Sequence, residues 1–408
     1  MPLTRRQIYR RRRITIFGGL AVVLAALIYA VGAGTAPLPA SAAEVVAPTS
    51  LTAAAAAPSW PDFGESAIGA VGFDGVLASS GDQGAVPIAS ITKMVTSLVI
   101  LDAKPLAAGE QGPNITFTAA DVDIYYDTIA EDGSSAPVVA GMVLTERQAL
   151  EAMLLPSANN YAVSLATWAY GSVDKYLAAA SAWIAAHNLT ATTIVDTSGL
   201  SAGSMSSPAD LVEIAKLVQA NPVLAEIVSM TKADLPTIGV VNNTNKLLGD
   251  FGVNGIKTGT TDEAGACLLF SADITVGSHT VTLVGVVLGG ATHPELNESI
   301  ATLIESVVPG FHDVELTKKG AEFATYTTKW GQTAHAVTAE AASAVVWSDT
   351  PISAQATTTT LRTGSEGESV GAVDFAVGSK TISVPLVLDA KLKDPGFGWR
   401  LTNPGTLG

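Results

Sequence analysis

A serine and a lysine three positions apart, Ser90 and Lys93, open a run that is otherwise built to be buried: Met94, Val95, Leu98, Val99, Ile100 and Leu101 follow. Apolar residues fall at most helical positions of this run, which predicts a helix with protein on all sides. Lysine is rarely buried without a partner. At i and i+3 the two side chains project from one face, a turn apart, within hydrogen-bonding reach. A serine becomes a nucleophile when a neutral amine can take its proton, and the free N–H groups at a helix start favour the anion that its attack creates. The pair by itself is short and common, so its neighbours have to be weighed with it.

Two more polar clusters interrupt apolar surroundings. Ser157-Ala158-Asn159 follows Pro156, between two expected helices. Helix capping is one reading of it. The other is a hydroxyl that passes protons beside an amide that orients a carbonyl. Lys257-Thr258-Gly259 precedes an apolar β run and is bracketed by Gly255 and Gly259, which permit close approach to the backbone. A lysine in a surface turn is the plain alternative. Chemically, a fixed ammonium beside the hydroxyls of Thr258 and Thr260 makes a receptor for a carboxylate.

These clusters need elements to hold them. Thr145-Glu146-Arg147-Gln148 reads as a capping box opening a helix that runs to Leu155. Further helices are expected at about 160–169, 174–187 and 208–219. The runs 264–274 and 279–289 form a hairpin of central strands, and a helix from His293 to Val308 closes the region. After about residue 312 the texture changes to short β runs such as AHAVTAEA and KTISVPLVL. Residues 63–311 are thus expected to form an α+β domain, an antiparallel sheet flanked by helices, and residues 312–408 a small all-β domain. Residues 35–62, dominated by Ala, Pro, Ser and Thr, read as a flexible tether.

Of 408 residues only 14% are charged, against roughly 25% in an average globular domain. The formal net charge is −15, and six arginines (Arg5, Arg6, Arg10, Arg11, Arg12 and Arg13) precede every acidic residue. Without them the rest of the chain stands near −21, which would repel nucleic acid and excludes it as an expected partner. Ile14 to Gly34 carries no charged side chain. At about 1.5 Å per residue this stretch spans roughly 31 Å, enough to cross a bilayer with the arginines left in the cytoplasm. A retained anchor is expected from its length. Ala40-Ser41-Ala42 has the spacing of a signal-peptidase site, so secretion to the wall after cleavage near Ala42 is the alternative. Cys267, the only cysteine, lies in an apolar run and reads as a buried structural thiol.

The three polar clusters match the SxxK, SDN and KTG set of penicillin-interactive serine enzymes. With ASITKMVTSLVILD, MLLPSANNYA, DTSGLS, NTNKLLG and GIKTGTTDEAGACLLFSA, residues 63–408 resemble the low-molecular-mass penicillin-binding proteins that are serine-type D-alanyl-D-alanine carboxypeptidases. The resemblance implies a penicillin-binding/β-lactamase-like transpeptidase fold and a small β domain after it. It also implies a peptidoglycan stem peptide ending in D-Ala-D-Ala as substrate, β-lactams as inhibitors and no cofactor. Ser90 is then the nucleophile and Lys93 its base. Ser157 relays a proton, Asn159 holds the acyl chain, and Lys257, Thr258, Gly259 and Thr260 bind the terminal carboxylate. The backbone N–H groups of Ser90 and Thr260 form the oxyanion hole. The implied location is the extracytoplasmic face of a bacterial plasma membrane.

The chain departs from the family in reading SAN where many relatives have SGN or SDN, and in having no amphipathic helix expected at its end. A class A β-lactamase would need an ExxLN segment between Asn159 and Lys257, which is missing; Glu295-Leu296-Asn297 is misplaced. A non-catalytic wall-binding or β-lactam-sensing protein is a further alternative, which retention of every polar group disfavours. Gly199-Leu200-Ser201-Ala202-Gly203 matches the G-x-S-x-G elbow, but no helix follows the serine directly. His187, His279, His293, His312 and His335 show no metal-ligand spacing.

Overall fold

The computed structural model describes residues 4–46 and 51–407. Contacts divide the chain into two units: residues 54–313, and residues up to 53 together with 314 onward.

The 54–313 unit is built on a five-stranded antiparallel sheet in the order Val253–Thr261, Gly265–Val276, His279–Gly290, Ser66–Ala70, Ala78–Ser80. The Gly265–Val276 and His279–Gly290 strands form the expected central hairpin. They are buried along most of their length because helices Pro208–Ala220 and His293–Val307 pack against them. Lys257-Thr258-Gly259, read from sequence as a segment before that hairpin, is itself part of a third strand. Lys257 pairs with Leu269 and Gly259 with Cys267. The glycines and threonines of VNGIKTGTT hide a strand that is fixed by its backbone partner more than by side-chain propensity.

Beside the sheet lies a helical region centred on Thr92–Ala103, in which every residue from Thr92 to Leu101 is buried. Helices Glu146–Leu154, Asn159–Tyr170, Val173–Ala186 and Pro208–Ala220 surround it, so the all-round apolar pattern has the predicted consequence. The Glu146–Leu154 helix opens on the expected capping box: Thr145 Oγ1 accepts from the Gln148 N–H at 3.2 Å, and Gln148 Oε1 accepts from the Thr145 N–H at 3.0 Å. Helix Ala119–Ala130 was not anticipated; its own capping box, Thr118 with Asp121, is the signal that was available.

The second unit carries a six-stranded antiparallel sheet in the order Ala43–Val45, Glu322–Thr327, Thr333–Thr338, Lys380–Leu388, Ser369–Val377, Ile352–Thr358. Its first strand corrects the tether expectation for part of 35–62. Ala43–Val45 adds to the edge of Glu322–Thr327, and Ser41 bridges Leu361. Small side chains offer little to bury, but strand addition is satisfied through backbone hydrogen bonds, which composition does not reveal. The N-terminal helix runs Arg5–Thr35, with its apolar window wholly exposed. A six-residue helix, Phe397–Thr402, lies near the end of the chain, where none was expected.

Replacing Thr145 by Ala removes the side-chain half of the capping box, the bond from the Gln148 N–H to Thr145 Oγ1, while leaving the Thr145 N–H to Gln148, and should cost about 1 kcal/mol. Chemical denaturation of the full chain in detergent, parent against Thr145→Ala, checks this.

Candidate active site

The chain enters the Thr92–Ala103 helix through a tight turn, Ala89–Ile91, with Ala89 at φ 45°. Ser90 therefore sits on the turn and not in the helix proper, yet the one-turn relation to Lys93 survives. Lys93 Nζ lies 2.9 Å from Ser90 Oγ, 2.6 Å from Asn159 Oδ1 and 3.1 Å from the Ser198 carbonyl oxygen. The Asp196–Gly199 loop crosses directly over the turn. A Cβ at Gly199 would fall 1.8 Å from the Ala89 carbonyl oxygen, so only glycine permits the crossing.

Lys93 is fully buried. Burial first, and then the charge of Lys257, hold its amine well below the usual lysine range, with Asp196 opposing. This is the condition under which a lysine can accept a proton from a serine at ordinary pH.

Ser157 and Asn159 come from the break between helices Glu146–Leu154 and Asn159–Tyr170. Ser157 adopts φ 64°, a left-handed conformation uncommon for a residue with a side chain, and it lines the same cleft as Ser90. Asn159 is the first residue of its helix; its N–H donates to the Ser134 carbonyl at 2.7 Å and its side-chain oxygen is taken by Lys93. Its neighbour Asn160 accepts from the Ala136 N–H and donates to the Ala136 carbonyl, clamping a segment whose residues 134–137 form one wall of the cleft. That wall was not foreseen.

The opposite wall is the Val253–Thr261 strand. Lys257 Nζ donates to the Thr258 carbonyl at 3.0 Å and lies 3.3 Å from Thr258 Oγ1. Thr258 shares a 2.6 Å hydrogen bond with Thr244. Burial pushes the Lys257 ammonium down to about 7. Gly259 faces the Ser90 turn so closely that a Cβ there would lie 3.1 Å from the Ile88 carbonyl oxygen and 3.2 Å from the Ser90 nitrogen. This glycine brings the strand edge against the Ser90 backbone.

Thr260 Oγ1 is 2.7 Å from His293 Nε2. His293 opens the last helix of the unit and lines the cleft; burial and then Lys257 lower its pKa. Histidine spacing does not reveal this position, whereas the Pro after His293, which fixes a helix start, marks it in the sequence. Among the described residues no group of three His, Cys, Asp or Glu is placed to hold a metal ion. The cleft of about 690 Å³ thus gathers Ser90, Ser157, Thr258, Gly259 and Thr260, with Lys93, Asn159 and Lys257 buried behind its surface. Thr244 and Lys246, from the NTNKLLG stretch, also line it, with Val240 to Asn243 before them.

The remaining motifs resolve simply. Ser201 lies in a loop organised by Asp196, which accepts from the Gly199 and Ser201 N–H groups and the Ser204 hydroxyl. The next helix begins at Pro208, capped by Ser207, so there is no nucleophile elbow. Cys267 is buried, its thiol pushed up to about 11 by that burial.

A serine and a low-pKa lysine behind it, a serine and asparagine at a helix break, and a lysine-threonine-glycine strand edge facing them define a serine acyl-transfer site on a sheet-and-helix scaffold. The family model described as D-alanyl-D-alanine carboxypeptidase (peptidase S11) matches residues 73–292, more than half of the chain, and the chain belongs to that family. It is 30% identical over 207 residues to a D-alanyl-D-alanine endopeptidase of Pseudomonas aeruginosa, a match covering 49% of this chain and 63% of that protein. It is 31% identical over 234 residues to the D-alanyl-D-alanine carboxypeptidase of Streptomyces sp. strain K15, covering 53% and 76%. The chain thus spans less than two thirds of the Pseudomonas relative. In fold it is similar to a peptidoglycan synthesis regulatory factor, PBP3, of Streptococcus pneumoniae, with a TM-score of 0.61 at 19% identity over 80% of this chain and 98% of that one.

The depressed Lys257 makes a stability prediction whose sign is opposite to that of a salt-bridged lysine. Its ammonium is penalised in the fold, so the penalty is fully present below about pH 7 and is relieved as pH rises from there towards the ordinary lysine value of 10.5. Lys257→Met should stabilise the protein by about 3 kcal/mol at pH 6, with the gain shrinking towards pH 10. Melting temperatures of the two proteins across that range check it.

Proposed function

We propose that the protein hydrolyses the terminal D-Ala-D-Ala bond of peptidoglycan stem peptides through an acyl-enzyme on Ser90. The observation that carries this is the 2.9 Å approach of the fully buried Lys93 amine to Ser90 Oγ. Neutral Lys93 takes the Ser90 proton as Oγ attacks the carbonyl between the two D-alanines. The oxyanion is received by the backbone N–H groups of Ser90 and Thr260. Ser157 passes the proton to the departing D-alanine amine. Lys257, Thr258 and Thr260 hold the terminal carboxylate, with His293 orienting the Thr260 hydroxyl. Asn159 fixes the Lys93 amine, since its side-chain oxygen is engaged there at 2.6 Å. Water then attacks the acyl-enzyme and releases the shortened peptide. A β-lactam acylates the same serine.

The Arg5–Thr35 helix, preceded by no acidic residue and exposed throughout its apolar window, supports membrane anchoring with the enzyme on the extracytoplasmic side.

The full chain in detergent should release D-alanine from a diacetyl-Lys-D-Ala-D-Ala peptide and be labelled by a fluorescent penicillin, and Ser90→Ala should do neither. Labelling without release would overturn the carboxypeptidase reading in favour of cross-link cleavage or transfer. The pH profile follows from the two lysines. Activity rises as Lys93 loses its proton and falls as Lys257 loses its own, from about pH 7 upward in the free enzyme. Lys257→Arg, whose charge does not titrate in this range, should abolish the alkaline fall in kcat/KM, read by D-alanine release between pH 5 and 10.

A further inference from the structure

The short helix Phe397–Thr402 does not stand apart from the N-terminal helix. Tyr29 Oη donates to the Leu401 carbonyl at 2.6 Å. A Cβ at Gly34 would fall 2.6 Å from the Phe397 ring, so the ring lies on the helix surface at that level. The Arg400 guanidinium donates to the Ala36 carbonyl, which ends the N-terminal helix, and its charge is met by Asp394 at 2.6 Å. Downstream, Arg362 Nε donates to the Leu38 carbonyl at 2.9 Å and Ser41 pairs with Leu361. The connection from the helix to the β sheet is thus hydrogen-bonded to residues 361, 362 and 400 at Ser41, Leu38 and Ala36.

These contacts set a depth. Tyr29 lies five residues inside the end of the charge-free stretch, roughly 7–8 Å along the axis. The segment beside it, from Phe397 to Leu401, is therefore level with the outer end of that stretch. Phe397 is 55% exposed, Trp399 is partly exposed, and Trp399 packs edge-on against Trp330 at 5.6 Å. Tyr29, Trp330 and Trp399 make an aromatic group at the level where a bilayer changes from acyl chain to headgroup, a position such side chains favour.

We infer that Phe397, Trp399 and their helix form an interfacial seat, immersed in the headgroup boundary of a phospholipid bilayer, that fixes the β unit on the membrane surface beside the N-terminal helix. This rests on reading Arg5–Thr35 as membrane-embedded. The occupant follows from covalent continuity, because a bilayer that surrounds Ile14–Gly34 necessarily meets whatever is packed against Tyr29 and Gly34.

The test uses the full chain reconstituted in phosphatidylethanolamine and phosphatidylglycerol vesicles carrying a nitroxide either near the headgroup or at the acyl terminus. The Trp399 signal is taken as the difference between parent and Trp399→Phe. The expected result is quenching several-fold stronger by the shallow label than by the deep one, reduced at least twofold by Phe397→Ser. Protein that floats with the vesicles while its Trp399 signal ignores both labels overturns the seat and leaves the anchor standing. Protein that does not float overturns the anchor, and the seat with it.

Discussion

Two lysine side chains buried at one cleft impose the constraint on which the rest of this structure depends. Lys93 and Lys257 have no more than 2% of their surface exposed, and their hydrogen-bond partners are hydroxyls, an amide and carbonyls, not carboxylates. Burial disfavours each charge, and Lys257 disfavours the charge on Lys93 further. A carboxylate in direct contact would relieve that penalty and favour the protonated amine, which on the proposed mechanism would disable Lys93 as a base. Asp196 marks the compromise. It raises the Lys93 pKa through its field, but its oxygens are occupied by Gly199, Ser201 and Ser204.

Holding such a pair takes scaffold. The Thr92–Ala103 helix is buried along ten successive residues, which leaves the Lys93 stem no route to solvent. The strand bearing Lys257 is paired along its length to a central strand, so its edge cannot drift from the Ser90 turn. Strain gathers where the two meet: Ala89 and Ser157 both adopt left-handed backbone conformations with side chains attached. Two glycines relieve crowding at the same place: a Cβ at Gly199, itself at φ 79°, would meet the Ala89 carbonyl oxygen at 1.8 Å, and one at Gly259 would stand a tight 3.1 Å from the Ile88 carbonyl oxygen.

Much of this was legible because chemistry of this kind is written in short local patterns. The Ser90–Lys93 relation needs only one helical turn, and it held although the helix starts two residues late. The central hairpin and the Thr145 capping box were equally local. What escaped depended on distant partners. Lys93 engages the Asn159 side-chain oxygen across 66 positions of sequence, a partner that local pattern does not name. His293 and the 134–137 wall reach the cleft only through tertiary packing. The Val253–Thr261 strand was obscured by its glycines, and Ala43–Val45 by side chains too small to signal a strand that backbone pairing holds. Periodicity reads what a segment does for itself, and these segments are defined by what another does for them.

The two lysines also explain how one site can need a neutral amine and a charged one. On the reading proposed above, the substrate supplies the missing charge. Its terminal carboxylate, arriving at Lys257, favours the protonated form there, and that added positive charge acts on Lys93 in the direction that keeps its amine neutral. Binding energy from a group remote from the scissile bond is thus converted into readiness of the base beside Ser90. A peptide without a terminal carboxylate fills the same cleft but leaves Lys257 buried and uncompensated, free to shed its proton. Selectivity for a chain end and activation of the nucleophile are then one electrostatic event, which is a physical reason for a peptidase of this design to keep both lysines out of reach of any carboxylate of its own.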